Sequence, residues 1–420
     1  MLSTLAEPPD LPEWSPCNTD SPCRLCGARL LRTLIDLGQV PLANRTIAAG
    51  APDGQPYRLH ARICDTCTLV QVADVAAPET IAAPRPYLDW RSAAGLSQTR
   101  RHADFMRKRL HLGGNSLVIK VGPSDGILLG HFQAAGIRVL AIDPTDSRAE
   151  TVIPTEVCLF NTETAMQIAV RHGCADLVVA NNVLPHAPDM FDFAAGLSSI
   201  LRPNGILTLQ VPHLLSLLQK MQFDAFGHDS YTYLSLRVLE HLLRSVGLRV
   251  FDAERLPDHG GSLRVYACHV VAPYAARPSL KAVRLVEGAS EVEQGDFYAG
   301  FSDRVAAVRD EIRDFLQTRR TAGRRVAAYG AAPRGSMLLH CCGITTQEIA
   351  WVADPDPASH GRLLPGSRIP IVPVQTMMGD PPDDIIILPW PNAVEIAVKL
   401  LPLRQHGTQF WTPVPRIARV

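Results

Sequence analysis

The residues that decide the fold are 116–143, which read SLVIKVGPSDGILLGHFQAAGIRVLAID. An apolar run, Ser116–Val121, leads into a glycine-containing turn, Gly122–Gly126, and then into a helical pattern that continues to about Ala135. A second apolar run, Val139–Ile142, follows. This order of strand, turn, helix and strand predicts the first unit of a doubly wound α/β sheet with parallel strands.

The turn of this unit has the character of a nucleotide-binding loop. Glycine lets a ligand approach the backbone closely, and the N-terminus of the following helix offers N–H groups. Asp143, at the end of the second strand, is placed to accept hydrogen bonds from ribose hydroxyls. The dinucleotide pattern Gly-x-Gly-x-x-Gly is absent, which favours S-adenosylmethionine over NAD, and a tight turn without a ligand is the remaining alternative. The candidate cofactor contacts in this unit are Gly122, Ser124, Asp125, Gly126 and Asp143.

The alternation of strands and helices continues along the chain and then restarts near residue 325. In the first block we predict strands at Ala175–Ala180, Gly205–Val211, Val250–Glu254 and Leu263–His269, and helices at Gln98–Leu110, Asp192–Leu201 and Leu234–Val246. After a helical connector over 281–321, the second block has strands at Arg325–Tyr329, Ile349–Ala353 and Asp384–Leu388, with a helix ending near His340. The sequence therefore predicts two α/β units, the second smaller than the first.

Two cysteine pairs precede the first α/β unit. They are Cys23-Arg-Leu-Cys26 and Cys64-Asp-Thr-Cys67, and this spacing is typical of a closed four-thiolate zinc site. Such a shell leaves no position for water, so the metal would hold structure and do no chemistry. Two disulfides or unrelated buried cysteines are the alternatives. No apolar targeting segment opens the chain, so a reducing cytoplasm is the expected location, and disulfides are disfavoured.

Composition narrows the class of function. The 420 residues carry 41 basic and 41 acidic side chains, so no basic field predicts nucleic-acid binding. No apolar run reaches the length that would span a membrane. We divide the chain into a flexible N-terminus (1–21), a zinc-binding module (22–80), an S-adenosylmethionine-type Rossmann domain (81–275) and a C-terminal α/β domain (276–420). The oligomeric state is left open.

Longer strings carry a resemblance to a known family. They are Leu37-Gly-Gln-Val-Pro-Leu-Ala-Asn44, the stretch 175–189 with Asn181-Asn182 and His186, His259-Gly-Gly-Ser-Leu-Arg-Val-Tyr266, Tyr329-Gly-Ala-Ala-Pro-Arg-Gly335 and Leu364-Pro-Gly-Ser-Arg-Ile-Pro-Ile371. With the cysteine pairs, they make the chain resemble the zinc-containing sugar C-methyltransferases that act on nucleotide-linked 4-keto-deoxysugars in antibiotic biosynthesis. The resemblance extends from the first cysteine pair to about residue 400.

This resemblance implies a role for each part of the chain. The zinc module would be structural, the middle domain would hold S-adenosylmethionine, with Asn181 and Asn182 near it, and the C-terminal unit would help to bind a sugar nucleotide. The reaction removes a proton next to the sugar ketone, and the enolate attacks the methyl group. Arg264 and Arg334 are candidates for a diphosphate, with surface arginines as the alternative, and the pair Gly260-Gly261 is either a ligand-facing turn or a plain β-turn. The full list of candidate substrate contacts is Tyr87, His259, Gly260, Gly261, Ser262, Arg264, Tyr329, Arg334, Trp390 and Asn392.

The chain departs from the family where the chemistry lies. The family has Tyr-His-Glu-His where this chain has Gly227-His-Asp-Ser230, so serine replaces the expected base. Lys120 also replaces an acid before the glycine of the cofactor turn, and its charge would oppose a cationic methyl donor. The candidates for proton handling are therefore His186, His228 and Asp229.

These departures leave three hypotheses for the activity. The first is a C-methyltransferase with a rearranged base. The second is an enzyme that enolises a related substrate without transferring methyl, and the third is a non-catalytic binding or partner subunit. The expected partner in each case is a small molecule, most simply a nucleotide sugar.

Overall fold

The structure is a computed structural model that describes residues 22–73, 80, 93–123, 126–145, 152–290 and 298–420. The predicted flexible N-terminus, Tyr87, Ser124 and Asp125 lie outside these residues. Within them, the chain forms a small N-terminal sheet and two larger α/β sheets, in the order that the sequence predicted.

The N-terminal module is an antiparallel sheet. Its strands are β1 (Arg32–Val40), β3 (Tyr57–Ile63) and β4 (Val70–Val72), paired in that order, while β2 (Ile47–Ala48) lies apart from it. Along β3 the buried residues Leu59, Ala61 and Ile63 alternate with more exposed ones, which is the pattern of a strand with one face on a core.

The middle domain is a seven-stranded sheet with helices on its faces. Its elements are α1 (Ala93–Arg109), β5 (Leu117–Val121), α2 (Ile127–Gln133), β6 (Arg138–Ile142), β7 (Thr155–Glu156), α3 (Thr162–His172), β8 (Ala175–Asn181), α4 (Met190–Ser199), β9 (Leu201–Pro212), α5 (Leu214–Gln219), α6 (Leu236–Ser245), β11 (Leu248–Leu256) and β12 (Ser262–His269). The strand order is β11-β12-β9-β8-β5-β6-β7, parallel from β9 to β7 and antiparallel at β11 and β12. All five residues of β5 are buried, as expected for a central parallel strand.

One strand of this stretch belongs to a different sheet. β10 (Thr232–Tyr233) pairs antiparallel with β4, so it completes the N-terminal sheet. The sequence did not predict this strand, which comes directly after the segment expected to carry the catalytic residues. The zinc module and that segment are therefore joined by backbone hydrogen bonds.

The C-terminal domain is a six-stranded sheet reached through two long helices. Its elements are α7 (Pro278–Ala289), α8 (Phe301–Thr321), β13 (Val326–Tyr329), α9 (Pro333–Cys341), β14 (Val352–Asp354), β15 (Arg362–Leu363), β16 (Ile371–Pro373), α10 (Val374–Gly379), β17 (Asp384–Ile387), α11 (Ala393–Lys399), β18 (Gln409–Thr412) and β19 (Ala418–Arg419). The order is β16-β14-β13-β17-β18-β19, and all neighbours are parallel except β18 and β19. The predicted helical connector is confirmed as α7 and α8.

The N-terminal module also contacts this last domain. β15 pairs with β2 to form a two-stranded sheet, and Arg362 donates to the hydroxyl and the carbonyl of Thr46 at 2.6 and 2.7 Å. Among the described residues, no helix combines the length and the apolar character needed to cross a membrane.

Candidate active site

The four predicted metal ligands lie together. The sulfur atoms of Cys23, Cys26, Cys64 and Cys67 are all within 4.8 Å of one another, with 3.4 Å between Cys23 and Cys67 and 3.5 Å between Cys26 and Cys64. Zinc–sulfur bonds of about 2.3 Å in a tetrahedron place the sulfurs about 3.8 Å apart, so these residues fit a zinc ion. The hydrogen bond between Cys23 and Cys67 lowers the pKa of Cys23 and raises the pKa of Cys67, so this pair holds one thiolate and one thiol whose proton a metal would displace.

The cofactor candidates meet at one edge of the middle sheet. Gly122, Asp143 and Asn181 each stand at the carboxyl end of a strand, and the three strands are neighbours in the order β8, β5, β6. This edge is where ligands bind in doubly wound sheets. Gly122 has φ +98, and a Cβ there would lie 2.4 Å from Cγ2 of Val183, so packing against the chain itself already requires glycine.

The side chain of Lys120 points towards the cofactor turn, Gly122–Gly126. Its side chain is buried, and its ammonium group donates to the carbonyl oxygens of Gly122, at 3.2 Å, and of Pro123. The lysine therefore holds the turn through its backbone carbonyls, although its positive charge stays close to the cofactor edge.

Asp143 is fully buried at the same edge. One carboxylate oxygen accepts from the backbone N–H and the hydroxyl of Thr145, at 2.8 and 2.7 Å. Gly126 begins α2 in the left-handed conformation, with φ +79. Both residues thus keep the positions that the cofactor prediction requires.

The side chains of Asn181 and Asn182 show whether this edge of the sheet fits S-adenosylmethionine. The side-chain oxygens of Asn181 and Asn182 are buried and lack a hydrogen-bond partner among the described residues, and Asn182 has φ +54. A buried acceptor without a partner destabilises a fold by about 1–3 kcal/mol. Both oxygens can accept from the polar groups of a nucleoside cofactor, so the residues at this edge fit S-adenosylmethionine.

Two of the catalytic candidates are in direct contact. His186 lies in the 3₁₀ turn Leu184–His186 that follows β8, and its Nδ1 is hydrogen-bonded to the backbone carbonyl of Asp229. A carbonyl oxygen only accepts, so Nδ1 carries the hydrogen and Nε2 carries the lone pair. The His186 ring is exposed, which leaves Nε2 able to meet a substrate.

His228 faces the zinc module. It is 5% exposed, its Nε2 donates to the carbonyl of Tyr57 at 3.2 Å, and the two rings meet edge to face at 6.0 Å. Burial lowers the pKa of His228, so the ring is neutral at pH 7. His228 therefore packs against the zinc module, and its role in proton handling stays a prediction.

The glycine and the aspartate of the altered motif are linked. A Cβ on Gly227 would lie 2.8 Å from a carboxylate oxygen of Asp229, so the space that a side chain at position 227 would occupy is taken by Asp229. Asp229 and Ser230 are both half-buried. A side chain at position 227 would therefore require the Asp229 carboxylate to move.

The glycine pair of the substrate motif packs against the protein. Gly260 has φ +88, and a Cβ on it would lie 2.7 Å from Oε1 of Gln222 and 2.8 Å from Cη2 of Trp390. A Cβ on Gly261, which has φ +131, would lie 2.6 Å from Ser216. His259 precedes them with φ +54, and Ser262 donates through its hydroxyl to the carbonyl of Asp258 at 3.2 Å.

Arg264 is buried among polar side chains. It is 5% exposed and donates to Glu254 at 3.1 Å and to Gln210 at 2.6 Å. Gln210 pairs with Asn181 across β9 and β8, so Arg264 lies near the cofactor edge. Asp258 also stands here, and burial raises its pKa. The motif search did not single out Gln210 or Asp258, since neither belongs to a recognisable pattern.

The remaining substrate candidates stand at the carboxyl edge of the C-terminal sheet. Burial raises the pKa of Tyr329 at the end of β13, and Trp390 and Asn392 form a 3₁₀ turn after β17. Trp390 and Arg334 both reach across to Asp224 of the middle domain, at 3.0 Å each. The structure thus brings these two candidates together at a contact between domains.

Comparison with known proteins assigns the family. Family models match for a C-methyltransferase C-terminal domain over residues 257–415, a methyltransferase domain over 97–253 and a zinc binding domain over 23–81. C-methyltransferase NovU of Streptomyces niveus is 32% identical over 399 residues, which cover 94% of this chain and 95% of that protein. The chain belongs to the C-methyltransferase family. The resemblance inferred from the sequence is confirmed, as are the α/β fold class and the zinc and S-adenosylmethionine cofactors.

Solved structures also align with part of this family member. The 1,6-didemethyltoxoflavin-N1-methyltransferase of Burkholderia thailandensis is 21% identical and covers 48% of this chain and 95% of its own, with a TM-score of 0.35. The PH0226 protein of Pyrococcus horikoshii is 13% identical and covers 44% of this chain and 94% of its own, also at 0.35. The assignments of individual site residues and the domain boundaries stay predictions.

Proposed function

We propose that this C-methyltransferase acts on a nucleotide-activated deoxysugar and that His186 is its general base. The observation that carries the proposal is the contact of His186 Nδ1 with the Asp229 carbonyl, which leaves Nε2 as the basic atom. An imidazole has a pKa close to neutral pH, whereas the Ser230 hydroxyl cannot act as a base unaided. The long strings shared with the sugar C-methyltransferases support the choice of substrate.

The reaction divides into a proton transfer and a carbon–carbon bond formation. Nε2 of His186 accepts the proton from the carbon next to the ketone, and the electron pair of that C–H bond forms the enolate. S-adenosylmethionine, when bound, supplies the methyl group and leaves as S-adenosylhomocysteine. The cofactor residues at the ends of β5, β6 and β8 would hold the donor, which is a positioning task.

Deuterium exchange in D₂O tests the base separately from methyl transfer. The wild-type protein should exchange the proton next to the ketone of a nucleotide-linked 4-keto-deoxysugar, and should transfer labelled methyl to that carbon when S-adenosylmethionine is added. His186→Gln should reduce both rates by about 100-fold or more, because general-base catalysis typically supplies that factor. His241→Gln, at an exposed histidine of α6, is the matched control.

The outcomes separate the three hypotheses. Unchanged exchange in His186→Gln would refute the assignment of the base. Exchange without methylation in the wild type would support an enolising enzyme that does not transfer methyl. Binding of the sugar nucleotide with neither exchange nor methylation would support a binding subunit.

A further inference from the structure

A buried carboxylate joins the middle and C-terminal domains. Asp224, in the 3₁₀ turn Phe223–Ala225, has a side chain that is 1% exposed. It accepts two hydrogen bonds from Arg334, at 3.0 and 3.1 Å, and one from the indole N–H of Trp390 at 3.0 Å. The forked arginine–carboxylate geometry fixes the relative position of the two groups, since two parallel bonds permit one orientation.

Arg334 uses each of its nitrogens on the protein itself. Nε donates to Asp224, Nη1 to the carbonyl of His259 at 3.0 Å, and Nη2 to Asp224 and to Gln222 at 3.1 Å. The guanidinium carbon also lies 5.3 Å from the centre of the Trp390 ring. Four of the five guanidinium N–H groups are therefore engaged within the protein, and one N–H on Nη1 is left for a diphosphate.

The same contacts fix the glycine turn of the middle domain. The carbonyl of Gly260 accepts from Lys220 at 2.6 Å and from Gln222 at 3.0 Å, and Trp390 packs where a Cβ of Gly260 would lie. Gln222, two residues before Asp224, thus bonds both to this turn and to Arg334. These contacts connect the glycine turn, helix α9 and the start of the segment that carries the catalytic candidates, residues 227–230.

We propose that Arg334 and Trp390 serve the reaction as positioning residues, through Asp224, and do not contact the diphosphate. Asp224 lies three residues before Gly227 and five before Asp229, whose carbonyl orients His186. The bonds that hold Asp224 in place therefore also hold the start of residues 227–230, whose backbone orients His186. The part of this inference that concerns the orientation of His186 rests on the proposed function.

Substitutions that change the fork but keep the charge distinguish the two roles of Arg334. Lysine can neutralise a phosphate as a point charge, but it cannot form a forked pair with a carboxylate. We would compare Arg334→Lys, Arg334→Gln, Asp224→Asn and the double variant of Asp224→Asn with Arg334→Gln. The matched control is Arg325→Gln, which removes an exposed ion pair in which Nη1 of Arg325 donates to both carboxylate oxygens of Asp380.

Turnover and binding are measured in parallel on the full chain. We expect Arg334→Lys, Arg334→Gln and Asp224→Asn to lower kcat by about 10- to 100-fold with KM within about 2-fold, because small displacements of catalytic groups have effects of that size. Binding of thymidine diphosphate and uridine diphosphate, followed by calorimetry, should be unchanged in all of them. The double variant should be no slower than the slower single variant, since both changes break one interaction.

Two results would overturn the inference. One is a loss of nucleoside diphosphate binding of 10-fold or more in Arg334→Gln that Arg334→Lys restores. The other is additive effects of the two single substitutions on the midpoint of urea unfolding, which would show that the pair is not coupled. If the wild type methylates no 4-keto sugar, the proposed substrate fails, while the unfolding cycle still decides whether Asp224 and Arg334 act as one unit.

Discussion

Loss of the zinc ion should release the catalytic segment while the cofactor edge stays intact. Cys26 is the exposed ligand of the four, so Cys26→Ala removes a zinc–sulfur bond without opening a cavity in the core. The metal loop leads directly into β4, where Val72 N–H donates to the Tyr231 carbonyl at 3.1 Å and two residue pairs join β4 to β10. Tyr231 N–H in turn donates to the Pro185 carbonyl, next to His186, at 2.8 Å.

The size of the effect follows from these bonds. If the Val72–Tyr231 bond and the two residue pairs each contribute about 1 kcal/mol, undocking β10 from a disordered β4 removes about 3 kcal/mol. That corresponds to a decrease on the order of 100-fold in the docked population relative to the undocked one. Turnover should fall by up to that factor, because His186 and Asp229 are not held together in the undocked state.

Amide hydrogen exchange and calorimetry check this prediction together. In Cys26→Ala, or after chelation of the wild type, the Val72 amide should exchange about 100-fold faster, while S-adenosylmethionine affinity changes by less than about 3-fold. Cys174→Ala, at a half-buried cysteine outside the cluster, is the control. Full turnover in zinc-free protein, or loss of cofactor binding in parallel with turnover, would refute the reasoning.

Three further predictions concern single positions. Lys120→Met should improve the affinity for S-adenosylmethionine relative to S-adenosylhomocysteine, which lacks the sulfonium charge, by about 20-fold, because a repulsion of about 1.7 kcal/mol at roughly 10 Å and an effective dielectric constant of 20 is removed. Loss of the lysine's bonds to the turn acts on both ligands, so it cancels in the ratio of the two affinities measured by calorimetry. Gly260→Ala should destabilise the protein by about 2 kcal/mol more in urea unfolding than Gly247→Ala, because both have positive φ but only Gly260 would place its Cβ within 3 Å of other atoms. The pKa of His102 is lowered, first by burial and second by the charge of Arg264. Below pH 6.5 the unfolded chain therefore binds a proton at this histidine that the folded protein does not bind. Stability should therefore fall as pH falls below 6.5, and His102→Phe should reduce that slope in unfolding experiments.

Local periodicity explains why the middle and C-terminal sheets were predictable. The apolar run of β5 and the heptad-like spacing of α6 encode buried faces in neighbouring residues, and both elements lie within a few residues of the predicted bounds. β14 was placed about three residues early, because its three residues continue an apolar stretch that starts at Ile349. β9 starts at Leu201, earlier than predicted, since polar residues at its exposed start hide the strand pattern.

Contacts between distant parts of the chain produce no periodic pattern of apolar residues in the sequence. Thr232 and Tyr233 form a strand because Val70 and Gln71 pair with them from the other sheet, and two residues are too few to show a period. The motif predicted Arg334 as a diphosphate contact but could not supply its carboxylate partner, because Asp224 lies 110 residues away. Residue types predict which groups matter, whereas the folded chain decides what each group touches.

The β2–β15 pair has a consequence for the synthesis of this chain. Residues 47–48 leave the ribosome long before their partner strand, residues 362–363, has been made. Domains ordinarily fold in order of synthesis, but here the first module cannot close all of its pairings until the third has emerged. Exchanging the N-terminal module with that of a relative would therefore require a matching change at residues 362–363 of the C-terminal domain.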